Sequence, residues 1–299
     1  MKRRKATVHG VLLVDKPVGI TSFDVVRQIC RTLGTKKCGH TGTLDPFASG
    51  LLCLCFGEAT KMVQYLMADE KEYVADLRLG IETDSCDCEG TIVERADVPD
   101  DILTKMRAAL PEFTGEIEQK PPVFSAVKVD GKRLYEYARK GEKVEIPSRI
   151  VHVRELELFT VKEECAKLRV VCGKGTYIRS LGRDLATSCG TVGHLIGLRR
   201  TRLGHWTVQN AVSPEATEEE LLSAMMTSTE SLESFPQFTV EDQIAKRIGW
   251  GQRIAEGQLP SKVLPGETML VRDSGGGLLA VVRLEEGVLA VERGFSQPW

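Results

Sequence analysis

The 299 residues are 42% hydrophobic and 27% charged, with a formal net charge of −2, the composition of a globular chain with room for one large domain and a small one. The longest apolar runs, such as Leu51 to Phe56, are too short to span a bilayer, and the basic start Met1-Lys2-Arg3-Arg4-Lys5 is followed by no apolar stretch of the kind a secretory signal needs. Nine scattered cysteines without a C-x-x-C pair argue against a disulfide framework and for reduced, cytoplasmic thiols.

Gly10 to Asp15 reads as a short buried strand, broken at Lys16-Pro17-Val18-Gly19. Thr21 or Ser22 caps a helix with Val25, Val26, Ile29, Cys30 and Leu33 on one face, stopped at Gly34. Residues 35–50 form a Gly/Thr-rich loop, and loops of this kind tend to carry sites. A strand over 51–56 and a helix over 58–68 follow. Tyr73, Ala75, Leu77 and Leu79 alternate with Val74, Asp76 and Arg78, the pattern of a half-buried strand. The pairs Cys53/Cys55 and Cys86/Cys88 could hold a metal, but alternating strand positions are the simpler reading.

A helix is expected over 99–110. The stretch 116–147 differs in kind, with Pro121-Pro122, an Asp130-Gly131 turn and a basic, aromatic-interleaved short helix over 132–140. Paired strands over 149–160 and 166–173 lead to a helix from about 176 to Gly190. Residues 213–236, acidic and Ser/Thr-rich, read as a linker holding a helix over 218–226 that Thr217 and Glu220 cap. A helix near 240–249 and strands near 268–272, 278–284 and 288–293 make the tail a small β-rich domain.

Charge is unevenly placed. Residues 1–41 hold nine Lys/Arg against two acids, and residues 168–205 hold seven against Asp184 alone. A nearly neutral chain with two basic stretches can still present a basic face to phosphates, or simply a solvated one.

Four segments could carry chemistry. Asp45, in Gly42-Thr43-Leu44-Asp45-Pro46, is held extended by the proline after it. It could be a nucleophile, a base, a metal ligand or an ordinary Asp-Pro turn. His40 is the one close candidate for a shared metal, and no partner stands at a recognisable spacing. A carboxylate nucleophile needs neither metal nor cofactor. Tyr73 reads as core from its periodicity, and otherwise as a ring to stack on a nucleobase. Gly173-Lys174-Gly175-Thr176-Tyr177-Ile178-Arg179 joins a strand to a helix without Walker spacing. Arg179 falls near the helix start, where a cation is poorly placed for the dipole, which points to a specific partner such as a carboxylate. Gly197-Leu198-Arg199-Arg200-Thr201-Arg202 is either a phosphate contact or a solvated strand edge. His194 and His205 read as structural.

Taken together these segments resemble the TruB-type tRNA pseudouridine synthases. The matching residues are Lys16-Pro17 with Gly19 and Thr21-Ser22; Gly39 to Pro46 with Ala48-Ser49-Gly50-Leu51-Leu52; Lys71-Glu72-Tyr73 with Leu79-Gly80, Thr83-Asp84 and Asp87; Pro121-Pro122 with Ser125 to Lys128; and Lys174 to Arg179 with Leu198-Arg199-Arg200. They run in order from about residue 10 to 205.

The resemblance implies an α+β fold: a catalytic domain over 1–230 with a mixed, mainly antiparallel sheet flanked by helices, a tRNA-clasping insertion at 116–147, and a PUA-like RNA-binding domain over 236–299. It implies isomerisation of the uridine at position 55 in the tRNA T-loop, by a cytoplasmic monomer without cofactor, metal or membrane. Asp45 would be the nucleophile, toward C1′ of the ribose or C6 of the base. Tyr73 would stack on the uracil, and Arg179 would orient Asp45. Tyr177, Lys174 and Leu198 would line the pocket, and His40 would enter the T-loop. The basic segments 1–41, 128–140 and 199–202 would meet phosphates. A purely RNA-binding module shares these basic stretches but has no use for a desolvated carboxylate; a metal-dependent hydrolase lacks its ligand spacings.

Overall fold

The computed structural model describes residues 8–67, 70–125, 127–142, 144–259, 263 and 266–296. The basic start over 1–5 and Ala126 lie outside the described residues, as do the side chains of Tyr135, Ala138 and Arg139 within the expected short helix.

The first strands are β1 (Gly10–Lys16), β2 (Cys38–His40), β3 (Ser49–Phe56) and β4 (Glu70–Leu79). A hairpin of β5 (Ile81–Thr83) and β6 (Ile92–Arg95) follows, then β7 (Gly115–Gln119) and a second small hairpin, β8 (Lys128–Val129) and β9 (Lys132–Arg133). The long strands β10 (Arg149–Lys162), β11 (Cys165–Gly173) and β12 (Gly193–Leu203), with the short β13 (Trp206–Thr207), complete this half. The main sheet runs β1-β3-β12-β4-β11-β10-β7, with β2 attached to β3 and β13 to β12. Only the β12–β3 pairing is parallel among those described for this sheet.

The sequence explains the layering. Alternation along β4 buries Tyr73, Ala75, Leu77 and Leu79, which meet Ile178, Leu181 and Leu185 of the helix Ile178–Ser188 and Met106 of the helix Ile102–Ala109. β1 and β3 are covered on both faces, so they read as continuous apolar runs. One face meets the helix Ser22–Thr32 through Val25, Val26 and Ile29. Thr21 caps that helix in a capping box with Asp24, and Gly34 follows it at φ +62°.

Three readings need correction. The segment 213–236 is no free linker. Met226 and Val212 bridge to Val11 and Val14 of β1, and Leu221 is fully buried beside Leu12. Its acidic residues face solvent or cap short helices, which gave it a linker's composition. Cys86 and Cys88 lie in the turn between β5 and β6, where Cys86 takes φ +59°, and not on a strand. The expected helix over 58–68 is a 3-10 segment, Gly57–Met62, with one α turn, Val63–Leu66.

The tail forms a second sheet from β14 (Gln237–Thr239), β15 (Ile254–Ala255), β16 (Thr268–Arg272), β17 (Leu278–Glu285) and β18 (Val288–Gly294), in the order β14-β16-β17-β18-β15. Ile244 and Ile248 of the helix Asp242–Gly249 pack into its core. Leu270, Leu278 and Val281 join Leu51, Cys53 and Cys55 of β3 in one apolar cluster. The tail therefore docks directly on the layer that carries the Asp45 loop.

Candidate active site

The Asp45 loop runs between β2 and β3 and is pinned on both sides of the carboxylate. Ser22 Oγ donates to the Leu44 carbonyl at 3.1 Å and accepts from the Leu44 amide at 2.8 Å. The Gly19 amide donates to the Pro46 carbonyl at 2.8 Å. Lys16, fully buried, points its ammonium at the carbonyls of Ile20, Pro17 and Pro46, at 2.6, 2.8 and 3.2 Å. Burial pulls this lysine down to about 8, against the attraction of Asp45. The upstream Lys-Pro and Thr-Ser segments thus hold the loop. The Asp-Pro turn is real as well, closed by the Ala48 amide on the Asp45 carbonyl at 3.1 Å. Turn and exposed carboxylate are one feature, because the turn fixes the Asp45 backbone and leaves 35% of its side chain open.

Arg179 meets that carboxylate from the first turn of its helix. Nη2 donates to Asp45 Oδ1 at 3.2 Å, and Nε lies 3.0 Å from Oδ2. Nη1 donates to Asp87 Oδ2 and to the Ser85 carbonyl, both at 3.0 Å, and Nη2 also donates to the Phe124 carbonyl at 3.0 Å. The guanidinium is only 4% exposed. A buried cation at a helix N-terminus is costly unless it is paired, and here two carboxylates flank it. Burial pushes the Asp45 carboxyl up from its ordinary value; Arg179 and Lys16 oppose this, and Asp87 adds to it.

Asp87 was quoted only as part of a motif, and its contact with Arg179 was missed. It is 3% exposed, and Ser85 Oγ and the Glu89 amide bond its Oδ1 at 2.5 and 3.0 Å. Gln119 was missed altogether. At 1% exposure it accepts from the Tyr177 amide at 2.8 Å and donates to the Tyr177 carbonyl at 3.0 Å, fixing the residue that starts the Arg179 helix. The available signal for Asp87 was the need of a buried arginine for compensating charge. Nothing in the pattern pointed to Gln119.

The other predicted residues fall as follows. Tyr73 and Leu198, each 8% exposed, share an apolar cluster with Leu44, Phe47 and Ile178. Tyr73 is therefore core as its periodicity suggested, and it borders the Asp45 loop as well. Tyr177 lies half-buried with Arg149 4.6 Å over its ring. Lys174 is exposed in the turn before it. His40, on β2, has a buried Nδ1 without a hydrogen-bond partner among the described residues, and burial followed by the Arg200 charge holds its imidazole below the usual range.

In the segment 199–202 the arginines meet protein groups, and only Arg200 is buried away from solvent. Arg199 pairs with Asp15 at 2.7 Å, Arg200 is 1% exposed, and Arg202 pairs with Glu70 at 2.8 Å. Charge pattern alone does not show which sheet neighbours such residues meet. Among the described residues no group of three or more His, Cys, Asp or Glu side chains is placed to hold a metal ion. No described helix is long and apolar enough to cross a membrane.

Residues 30–178 match the family model described as TruB family pseudouridylate synthase (N terminal domain). The chain is 44% identical over 299 residues to tRNA pseudouridine synthase B of Burkholderia mallei, covering 98% of each chain. The chain belongs to the TruB family of pseudouridylate synthases. A second relative, tRNA pseudouridine synthase B of Cupriavidus metallidurans, is 46% identical over 295 residues, 96% of this chain and 94% of that one. Among solved structures, a chain of an H/ACA RNP bound to a substrate RNA containing 2′-deoxyuridine aligns with TM-score 0.72 and 25% identity, over 97% of this chain and 86% of that one. A chain of an archaeal box H/ACA sRNP Nop10–Cbf5 complex aligns with TM-score 0.71 and 26% identity, over 99% and 89%. In this TruB family member the family model ends at Ile178, one residue before Arg179, while the curated relatives align through the tail.

Proposed function

We propose that this chain isomerises a tRNA uridine, the one at position 55 in the T-loop, to pseudouridine, with Asp45 as the nucleophile. The observation that carries the reading is the partly open Asp45 carboxylate gripped at both oxygens by buried Arg179. The names of the curated relatives point the same way.

The target atoms are hidden in a stacked loop, so the nucleotide leaves the stack at a cost on the order of a few kcal/mol. Asp45 then attacks C1′ of the ribose or C6 of the base, and the N1–C1′ bond breaks. The uracil turns, C5 bonds to C1′, the bond to Asp45 breaks and frees its carboxylate, the C5 proton leaves, and N1 regains a proton. Substrate and product have the same composition, with the C5 proton exchanged for one at N1, so the isomerisation consumes no co-substrate, oxidant or reductant. Arg179 holds the carboxylate charged and aimed. Tyr73 stacks on the base, and Leu198, Tyr177 and Lys174 line the pocket. His40 fills the space left in the T-loop, where burial holds its imidazole below the usual range.

The region over 1–230 serves as the catalytic domain and 236–299 as a PUA-like RNA-binding domain. Within the insertion over 116–147, Lys128, Lys132 and Arg133 are exposed cations for the RNA backbone. The protein works as a cytoplasmic monomer.

Tritium release from a T-loop stem-loop labelled at C5 tests the reading. Wild type releases the label and Asp45→Asn does not, while both bind the RNA. Release by a clean Asp45→Asn preparation would overturn it.

A further inference from the structure

Gln119 is 1% exposed, and the chemistry above gives it no part. It ends β7, the edge strand of the main sheet, just before Pro121-Pro122. Its side-chain amide spans one residue. Oε1 accepts from the Tyr177 amide at 2.8 Å, and Nε2 donates to the Tyr177 carbonyl at 3.0 Å. The pairing also fixes which way the side-chain amide points, because exchanging its oxygen and nitrogen would set donor against donor and acceptor against acceptor.

Tyr177 holds the N-cap position of the helix Ile178–Ser188 and makes no side-chain cap of its own. In a capping box the third helical residue reaches back to the N-cap amide. Here that residue is Ser180, and its hydroxyl donates to the Lys120 carbonyl at 2.8 Å instead. Gln119 takes that part from 58 residues away in sequence. The Tyr177 carbonyl also accepts from the Leu181 amide at 3.0 Å, the bond that opens the helix. Arg149, the cross-strand neighbour of Gln119 on β10, acts on the same turn. Its guanidinium lies 4.6 Å over the Tyr177 ring, and its Nη2 donates to the Gly175 carbonyl.

Arg179 stands in the first turn beyond Tyr177, and its Nη2 donates to the Phe124 carbonyl at 3.0 Å as well as to Asp45. The segment that begins at Gln119 therefore meets the helix at Tyr177, Arg179 and Ser180. Burying an amide is costly unless its polar atoms are paired. A methionine would fill much the same space without that cost, but it could not fix a backbone amide and carbonyl together.

We propose that Gln119 is a positioning residue for the reaction: by holding Tyr177 it sets where the helix Ile178–Ser188 begins, and so how Arg179 meets Asp45. The assignment rests on the synthase reading. Misplacing reacting groups by about 1 Å is enough to lower a rate about 100-fold. Arg179 and Lys16 hold the Asp45 carboxyl down against burial and Asp87. An arginine that sits less well on Asp45 lets that carboxyl rise, and the acid limb of the rate profile then moves to higher pH.

The test compares wild type, Gln119→Met and Gln119→Asn in single-turnover tritium release across pH, with RNA affinity and folded fraction measured in parallel. Asparagine keeps a neutral amide but is one methylene too short to reach both Tyr177 groups, so it serves even where the methionine variant does not fold. Per folded molecule, Gln119→Met loses on the order of 10- to 100-fold in rate and keeps its RNA affinity within about threefold. Gln119→Asn loses less, and in both variants the acid limb moves to higher pH. A merely structural glutamine would lower the folded fraction alone. A wild-type rate per folded molecule, or a lower rate with the acid limb in place, would overturn the proposal.

The Asp45 carboxyl carbon, followed by NMR in aspartate-labelled protein and assigned with Asp45→Asn, gives a readout that needs no substrate. It should titrate at higher pH in both Gln119 variants than in wild type. An unmoved titration would also overturn the proposal. Wild type that releases no tritium removes the synthase reading instead, and the titration still decides whether Gln119 acts on the pair of Arg179 and Asp45.

Discussion

Asp45 and Asp87 bind one guanidinium from two sides, Asp45 at Nη2 and Nε of Arg179 and Asp87 at Nη1. Their environments differ in a way that separates their work. Asp45 keeps 35% of its side chain open, whereas that of Asp87 is 4% exposed and bonded to Ser85 and to the Glu89 amide. Asp87 balances the buried cation, which keeps Arg179 oriented toward Asp45.

Asp87→Asn removes that balance and leaves the shape. Breaking a buried pair costs about 3–5 kcal/mol when one charge is left alone; Asp45 still faces Arg179, so the loss should fall at or below the lower end. The Asp87 charge also raises the Asp45 carboxyl. A carboxylate must be ionised to attack, so the rate falls as pH drops through its value in the folded protein. Asp87→Asn should therefore move the acid limb of the single-turnover profile to lower pH while reducing the plateau. A limb that stays in place would show that Asp87 does not reach Asp45.

Lys16 gives a stability signature of its own. Its ammonium is held at about 8, below the ordinary 10.5, chiefly by burial. Between those values the unfolded chain binds a proton that the folded chain does not, so the Lys16 contribution rises with pH by up to about 1.4 kcal/mol per unit. Denaturant midpoints of wild type and Lys16→Met, followed from pH 7.5 to 10.5, should move apart as wild type gains. Parallel curves would mean that the buried ammonium does not titrate there. The methionine variant should start lower at pH 7.5, because it leaves the carbonyls of Pro17, Ile20 and Pro46 without their donor.

The Asp45 and Arg179 segments were legible because each breaks a local rule: a carboxylate exposed in a glycine-rich loop, and a cation at the wrong end of a helix. Their contact spans 134 residues, and only the resemblance joined them beforehand. Asp87 and Gln119 break no local rule. Their partners lie 92 and 58 residues away, brought close by the sheet order and not by any spacing. Composition misled where a few side chains outweigh many. Leu221 and Met226 fasten an acidic, linker-like segment to the β1 layer, just after Val212 bridges to Val14. In the basic run, Arg200 is buried while Arg199 and Arg202 find carboxylates on neighbouring strands. Strand alternation, by contrast, found β4, β10 and β11 closely, because half-buried strands announce their inward face.

Gly50 and Gly42 flank Asp45 and should respond in opposite ways to the same change. A Cβ at Gly50 meets Arg200 backbone at 2.2 and 2.8 Å, in a left-handed conformation. Gly50→Ala should cost upward of about 3 kcal/mol, combining backbone strain with a clash that only strand movement relieves. A Cβ at Gly42 meets Arg200 Nη1 at 3.6 Å, ordinary packing. Gly42→Ala should therefore fold with a melting temperature near wild type. Equal tolerance of alanine at both positions would contradict the close approach of β3 and β12.

Glu58 fastens the tail to the half that holds the main sheet. Burial alone would raise its carboxyl, but the Lys61 ammonium at 2.6 Å, the Ser296 amide at 3.1 Å and Lys37 at 3.4 Å hold it at about 2. Lys61 also donates to the Gly294 carbonyl at 2.8 Å, and Tyr65 hydrogen-bonds Glu292 at 3.1 Å. A carboxyl lowered from 4.5 to about 2 stabilises the fold fully above 4.5, and that contribution disappears as pH falls toward 2. Lys37 is 55% exposed and Lys61 27%, so solvent screening reduces the gain to on the order of 1–2 kcal/mol. Glu58→Gln should lose that amount at pH 7 and only about a quarter of it at pH 2.5. The loss should appear as faster hydrogen exchange in β16 to β18, with β4 and β11 unaffected, because the carboxylate bonds the end of the tail. The apolar contact of Leu270, Leu278 and Val281 with β3 remains in the variant, so the tail should loosen without detaching. Exchange that rises equally in both sheets would mean that Glu58 supports the catalytic half and not the docking.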